Sequence, residues 1–79
     1  MEHVFVVMGY YESNQYCEWE ESDDLEGIFA SREAAKAFIE REHPEAVYNP
    51  KTDCWVEEGT TEYYEYINRF TIAEWKVES

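Results

Sequence analysis

One segment of this chain, SREAAKAFIEREHP at residues 31–44, has both ends of a helix written into it. Ser31 is a favoured N-cap, because its hydroxyl accepts from a backbone N–H that has no partner inside the helix. Glu33 falls in the positively polarised first turn, and Ala34, Ala35 and Ala37 are strong helix formers. Arg41 and His43 fall in the last turn, where cations are favoured, and Pro44 denies the residue before it helical geometry. Ala34, Ala35, Phe38 and Ile39 lie in one stripe, so the helix has a single face to bury. The rest of the chain reads as strands and turns. A lone helix with one apolar stripe needs a sheet to pack on, and that requirement sets the expected class.

HVFVVMGYY at 3–11 is rich in β-branched and aromatic residues without alternation, which predicts a strand buried on both faces. ESNQ at 12–15 is turn chemistry. YCEWE at 16–20 alternates Cys17 and Trp19 against Glu18 and Glu20, the pattern of a half-exposed strand. After a turn-like SDD, LEGIF at 25–29 predicts another short strand, with Gly27 marking a bulge or a close backbone approach. YNPKTD at 48–53 predicts a turn, CWVEE a strand, and EGTT a second turn at Gly59. The closing EYYEYINRFTIAEWKV is strand-like, with Thr71, Ala73, Trp75 and Val77 alternating against Phe70, Ile72, Glu74 and Lys76. The expected fold is α+β: a small antiparallel β-sheet with one α-helix packed on one face, in the order β-β-α-β-β, as a single domain over 1–79. Fourteen aromatic side chains supply the core that 79 residues would otherwise struggle to build.

Charge narrows the partners. Nineteen Asp and Glu stand against six Lys and Arg, a net −13. Direct nucleic-acid binding needs a basic footprint, and an anionic membrane repels such a surface, so neither is expected. No run approaches the ~20 apolar residues of a membrane span, and no basic-then-apolar leader opens the chain. These features predict a protein of the cytoplasm. Cys17 and Cys54 are far apart and read either as packing thiols or as a disulfide pair.

Catalytic chemistry finds no support in the pattern. His3 and His43 are the only histidines, neither beside a motif around a cysteine or serine, and each reads as an exposed or capping residue. Two cysteines and two histidines at these spacings make no zinc set, and SDDLEG lacks the ligand positions of a calcium loop. The three glycines are isolated and make no phosphate loop. The chain is therefore expected to be no enzyme and to need no cofactor.

The acidic surface is the remaining feature. GYYESNQYCEWEESDDLEG at 9–27 contains seven carboxylates, four large aromatics and no lysine or arginine. Carboxylates at i and i+2 on a strand lie roughly 6.5–7 Å apart on one face, comparable to successive phosphates, and Glu18 with Glu20 fits that spacing. Glu57, Glu58, Glu62 and Glu65 extend the row if the last hairpin packs beside the second strand. Tyr10, Tyr11, Tyr16, Trp19, Tyr63 and Tyr64 add anchoring area. The expected contact set is Glu12, Tyr16, Glu18, Trp19, Glu20, Glu21, Asp23, Asp24, Glu26, Glu57, Glu58, Glu62 and Glu65.

VFVVMGYY, LEGIFASREAAKAFIE and FTIAEWKVE together resemble a group of small uncharacterised proteins from phages and mobile elements. That group has an N-terminal hydrophobic strand, a strand leading into a Ser-capped Ala-rich helix, and a final aromatic strand. In size and charge the chain also resembles anti-CRISPR inhibitors that imitate nucleic acid. The resemblance implies a phage-encoded inhibitor whose partner is a basic nucleic-acid-binding host protein, such as a CRISPR effector subunit. An alternative expectation is a non-catalytic assembly module, a homodimer joined through a strand edge, with the acids serving solubility alone. Monomer and homodimer both fit the first expectation.

Overall fold

A computed structural model of the chain describes residues 2–15 and 18–77. Five strands and one helix follow in the order β1 (Glu2–Ser13), β2 (Glu20–Phe29), α1 (Arg32–Glu42), β3 (Val47–Asn49), β4 (Cys54–Thr60) and β5 (Glu65–Val77). The strands form one antiparallel sheet ordered β2-β1-β5-β4-β3, with α1 on one face. The α+β class is therefore as expected, with one more strand after the helix than the sequence led us to expect: the three-residue β3, which forms the far edge.

The helix begins where its cap predicts. Ser31 Oγ accepts from the Ala34 amide at 3.1 Å, and the His43 amide closes the other end on the Ile39 carbonyl at 2.8 Å. Ala35 and Ile39 are fully buried and Phe38 partly so, while Ala34, expected in the same stripe, is exposed. The helix packs over the middle of the sheet on Val7, Trp55 and Phe70, with Phe5, Phe29 and Ile72 around them. At the β3–β4 turn, Arg32 and Tyr48 both donate to Asp53 Oδ1, the latter at 2.8 Å, tying the start of the helix to the edge hairpin. Asp53 itself takes a left-handed φ of 52°, a conformation that Asp tolerates in turns.

Four sequence expectations change. Glu12 and Ser13, expected in a turn, end β1 opposite Glu21 and Glu20. Glu18 and Trp19, expected in a strand, lie in the connection between β1 and β2, and Glu20 opens β2; Tyr16 and Cys17, the rest of that expected strand, fall outside the described residues. Ser22, Asp23 and Asp24, expected as a turn, are paired with Tyr11, Tyr10 and Gly9 inside β2. β2 is an edge strand, where polar side chains meet water without cost, so turn-type residues are tolerated there. Gly59 does not turn the chain either. It sits in β4 opposite Tyr66, whose ring and hydroxyl occupy the space a Cβ would need, at 2.6–3.0 Å. The turn falls at residues 61–64, where Thr61 Oγ1 accepts from the Tyr63 and Tyr64 amides.

Phe70 is the largest fully buried side chain, and Phe70→Ala is expected to cost about 3–5 kcal/mol. Ser31→Ala is expected to cost only about 1 kcal/mol, since it removes one cap bond at an exposed helix end. Urea denaturation of the two variants measures the contrast; equal losses would contradict a core centred on Phe70.

Candidate functional site

The register of β1 with β2 slips between Val7 and Met8: Val7 pairs with Gly27, but Met8 pairs with Leu25. Glu26 is the extra residue of this bulge, beside the glycine that suggested one. The bulge turns Glu26 to the helix side, where its Oε1 accepts from the Tyr11 hydroxyl and lies 3.4 Å from His43 Nε2. The opposite nitrogen, His43 Nδ1, is 4.0 Å from Glu57 Oε2 on β4. The His43 ring stacks on Phe70 at 3.8 Å between centroids. A residue that closes the helix thus also bridges two carboxylates from separate strands.

Gly9, paired with Phe70, makes room for this cluster: a Cβ there would come within 2.9 Å of the Tyr11 ring and 3.1 Å of Glu26 Oε1. Burial pushes the Tyr11 phenol far above its ordinary value of 10.0. The bond to Glu26 and the charges of Glu26, Asp24 and Glu57 add to the shift. Tyr11 therefore stays a neutral donor at any physiological pH.

Beyond His43 the sheet continues without helical cover. An open cleft of ≈ 580 Å³ lies there, walled by Tyr11, Tyr64 and Tyr66, with Glu20 and Glu57 at its rim and Asn68 in its floor. The two turns that border it are tied together: the Asn14 amide donates to the Glu65 carbonyl at 3.1 Å, and the Glu65 amide to Asn14 Oδ1 at 2.6 Å. Aromatic walls and carboxylate rims suit a lysine or arginine side chain, through cation–π and charge-assisted contacts. Among the described residues, no three His, Cys, Asp or Glu side chains come together as a metal site would require.

Every described carboxylate of the expected contact set lies on this same half of the sheet. Glu12, Glu21, Asp23, Glu58 and Glu65 share the helix-free face by register, and Glu20, Asp24, Glu26 and Glu57 the other. Glu18 and Glu62 lie in the two turns. The acids wrap one end of the molecule and do not form a ribbon on one face. Glu18 and Glu20 are not a strand pair, because β2 begins at Glu20. The β4–β5 hairpin does not pack beside β2 either, since β1 lies between them. β1 contributes Glu12, directly opposite Glu21, but the next position on β5 is Ile67, with Glu58 beyond it on β4, so no unbroken row of carboxylates crosses the sheet.

The cations are elsewhere. Arg32, Lys36 and Arg41 are on the helix, Lys51 in the β3–β4 turn, and Lys76 opposite His3 at the far end of β5. Arg69 alone sits among the acids, and Glu12 holds it. Trp19 and Tyr63 stand exposed on the two turns. Sequence reasoning missed Tyr66 and the His43 bridge. A strand glycine opposite an aromatic was the available signal for the first, and nothing local marked the second. No helix among the described residues is long and apolar enough to cross a membrane. Neither a family model, a curated protein nor a solved structure matches the chain.

Like charge crowded at one end opposes folding. Raising NaCl from about 0.02 M to about 0.5 M is expected to raise the melting temperature by roughly 3–6 °C, read by differential scanning calorimetry. A fall would mean that ion pairs, not repulsion, dominate. Tyr11→Phe is expected to cost about 1–2 kcal/mol at pH 7 by leaving Glu26 without its donor. The folded-state value of Tyr11 is raised above 10.0, so its contribution is whole below pH 10 and is lost as pH climbs beyond it. The gap between parent and variant should therefore shrink above pH 10 in urea titrations; a constant gap would show that the hydroxyl is not held this way.

Proposed function

We propose that this chain is a non-catalytic binding protein that imitates nucleic acid, seating its acidic end in the basic nucleic-acid-binding groove of a partner protein. A groove of this kind belongs to defence complexes such as CRISPR effectors, and occupying it would make the chain an inhibitor. The observation that carries the reading is segregation: five of six cations lie off the end that gathers the carboxylates of β2, β4 and the two turns. Solubility alone gives no reason for such polarity, since a small domain is kept in solution by a net charge of about 2–8 in magnitude, wherever it lies.

The spacing supports the same reading. Alternate residues along a strand stand roughly 6.5–7 Å apart, so Glu21 and Asp23 on β2 offer anions at an interval like that of a phosphate backbone, while Glu12 beside them is held by Arg69. Lysines and arginines that grip phosphates make the same charge-assisted bonds with carboxylates. The tyrosine-walled cleft takes one such side chain, and exposed Trp19 and Tyr63 supply the apolar contact that charge alone lacks.

The test is capture from host lysate at about 0.05 M and about 0.5 M NaCl, read by mass spectrometry, followed by displacement of labelled DNA from the captured protein. The expected prey are nucleic-acid-binding proteins that release at the higher salt. Combined Glu18→Lys, Glu20→Lys and Glu21→Lys should weaken capture about 100-fold while leaving the circular dichroism spectrum unchanged. Equal capture by this triple variant would overturn the reading.

A further inference from the structure

The face of the sheet away from the helix has no cover of its own. Register assigns it Val4, Val6, Met8 and Tyr10 on β1, Leu25 and Ile28 on β2, Ala73, Trp75 and Val77 on β5, and Val47 on β3. Of the nine large hydrophobics exposed among the described residues, six lie here: Tyr10, Leu25, Ile28, Val47, Trp75 and Val77. Their exposures run from 38 % to 70 %. Leu25, Ile28, Trp75 and Val77 together leave on the order of 400 Å² of apolar side chain open, within the range of the largest patches on monomers and about half of the ~800 Å² each partner buries in a stable interface. Tyr10 and Val47 extend the patch along a row that they share with Asp23 and Arg69.

We infer that a second copy of this chain covers this face, so that two sheets pack back to back as a homodimeric sandwich. Charge selects the occupant. The part of the face around Val6, Ile28, Ala73 and Trp75 carries no charged side chain except Glu2 at its margin, although the chain as a whole is at −13. A basic partner finds nothing there to pair with, whereas an identical uncharged patch is a match. Homodimer interfaces are also the most apolar class.

Aligned sheets pack about 10 Å apart, with their side chains interdigitating. With the two-fold axis between the sheets and across the strands, the copies run head to tail and their acidic ends point away from each other. A dimer made through the β2 edge lacks this relief. β2 carries Glu20, Glu21, Asp23, Asp24 and Glu26 in ten residues with no base, so pairing it with itself would set carboxylates against carboxylates. The inference is independent of the proposed function, because the acidic ends stay free in the dimer.

Sedimentation equilibrium of the full chain from about 5 to about 200 µM decides the matter, since self-association makes both mass and melting temperature depend on concentration. The expected mass is twice 9.5 kDa and persists when the salt is raised. Ile28→Lys and Trp75→Lys alter side chains more than half exposed in the single chain, so each variant should fold yet self-associate at least about 30-fold more weakly. Glu62→Lys, in the turn at the acidic end, should leave association unchanged or strengthen it. A parent that keeps a single-chain mass at the highest concentration overturns the inference. So does a dimer that both lysine variants retain, or one that dissociates as salt is added. Should one variant fail to fold, Leu25→Lys and the parent's own concentration series still decide.

Discussion

One short helix has to serve a long sheet. An 11-residue helix spans about 16 Å, whereas the 12 and 13 residues of β1 and β5 span about 40 Å, in a molecule whose longest dimension is 47 Å. The helix protects one face around Phe70 and leaves two regions without helical cover: the far end of its own face, and the other face, where Val6 and Cys54 are buried by their neighbours in the sheet. The chain treats the two regions in opposite ways. The far end is rich in carboxylates and tyrosines, which water tolerates. The helix-free face beneath the core stays apolar. Two different kinds of open surface thus follow from a single shortage of cover.

His43 stands where the covered and uncovered parts meet. Its backbone closes the helix, its ring lies on the central core side chain, and its two nitrogens face Glu26 and Glu57. The acidic end is therefore fastened to the core through one side chain instead of hanging from a loose hairpin. Tyr11 does the same from within the sheet, its ring edge-on to Phe70 and its hydroxyl on Glu26. Rigidity of this kind lowers the ordering cost of any contact made there.

What could be read from the sequence was local. Ser31, the alanines and Pro44 mark a helix because capping and chain stiffness act within a few residues. The alternation of Thr71, Ala73, Trp75 and Val77 marks one face of β5 for the same reason. The stretch 12–24 misled because Ser13, Asn14, Ser22, Asp23 and Asp24 have turn chemistry, yet most of them pair across to neighbouring strands. Pairing partners up to tens of residues apart overrode local preference, as they commonly do on an edge strand. For the site, the count of acids was legible and their arrangement was not. It depends on β1 lying between β2 and β5, a fact of strand order that no short window holds.

The slip between Val7 and Met8 acts as a parity switch for β2. Were the two strands to continue in step past Gly27, Glu26 would stand opposite Met8, among the hydrophobics of the helix-free face. Leu25 would move under the cleft. One unpaired residue thus sends Leu25 to the oily side and Glu26 to the side of His43, at the point of the strand where the two surfaces meet.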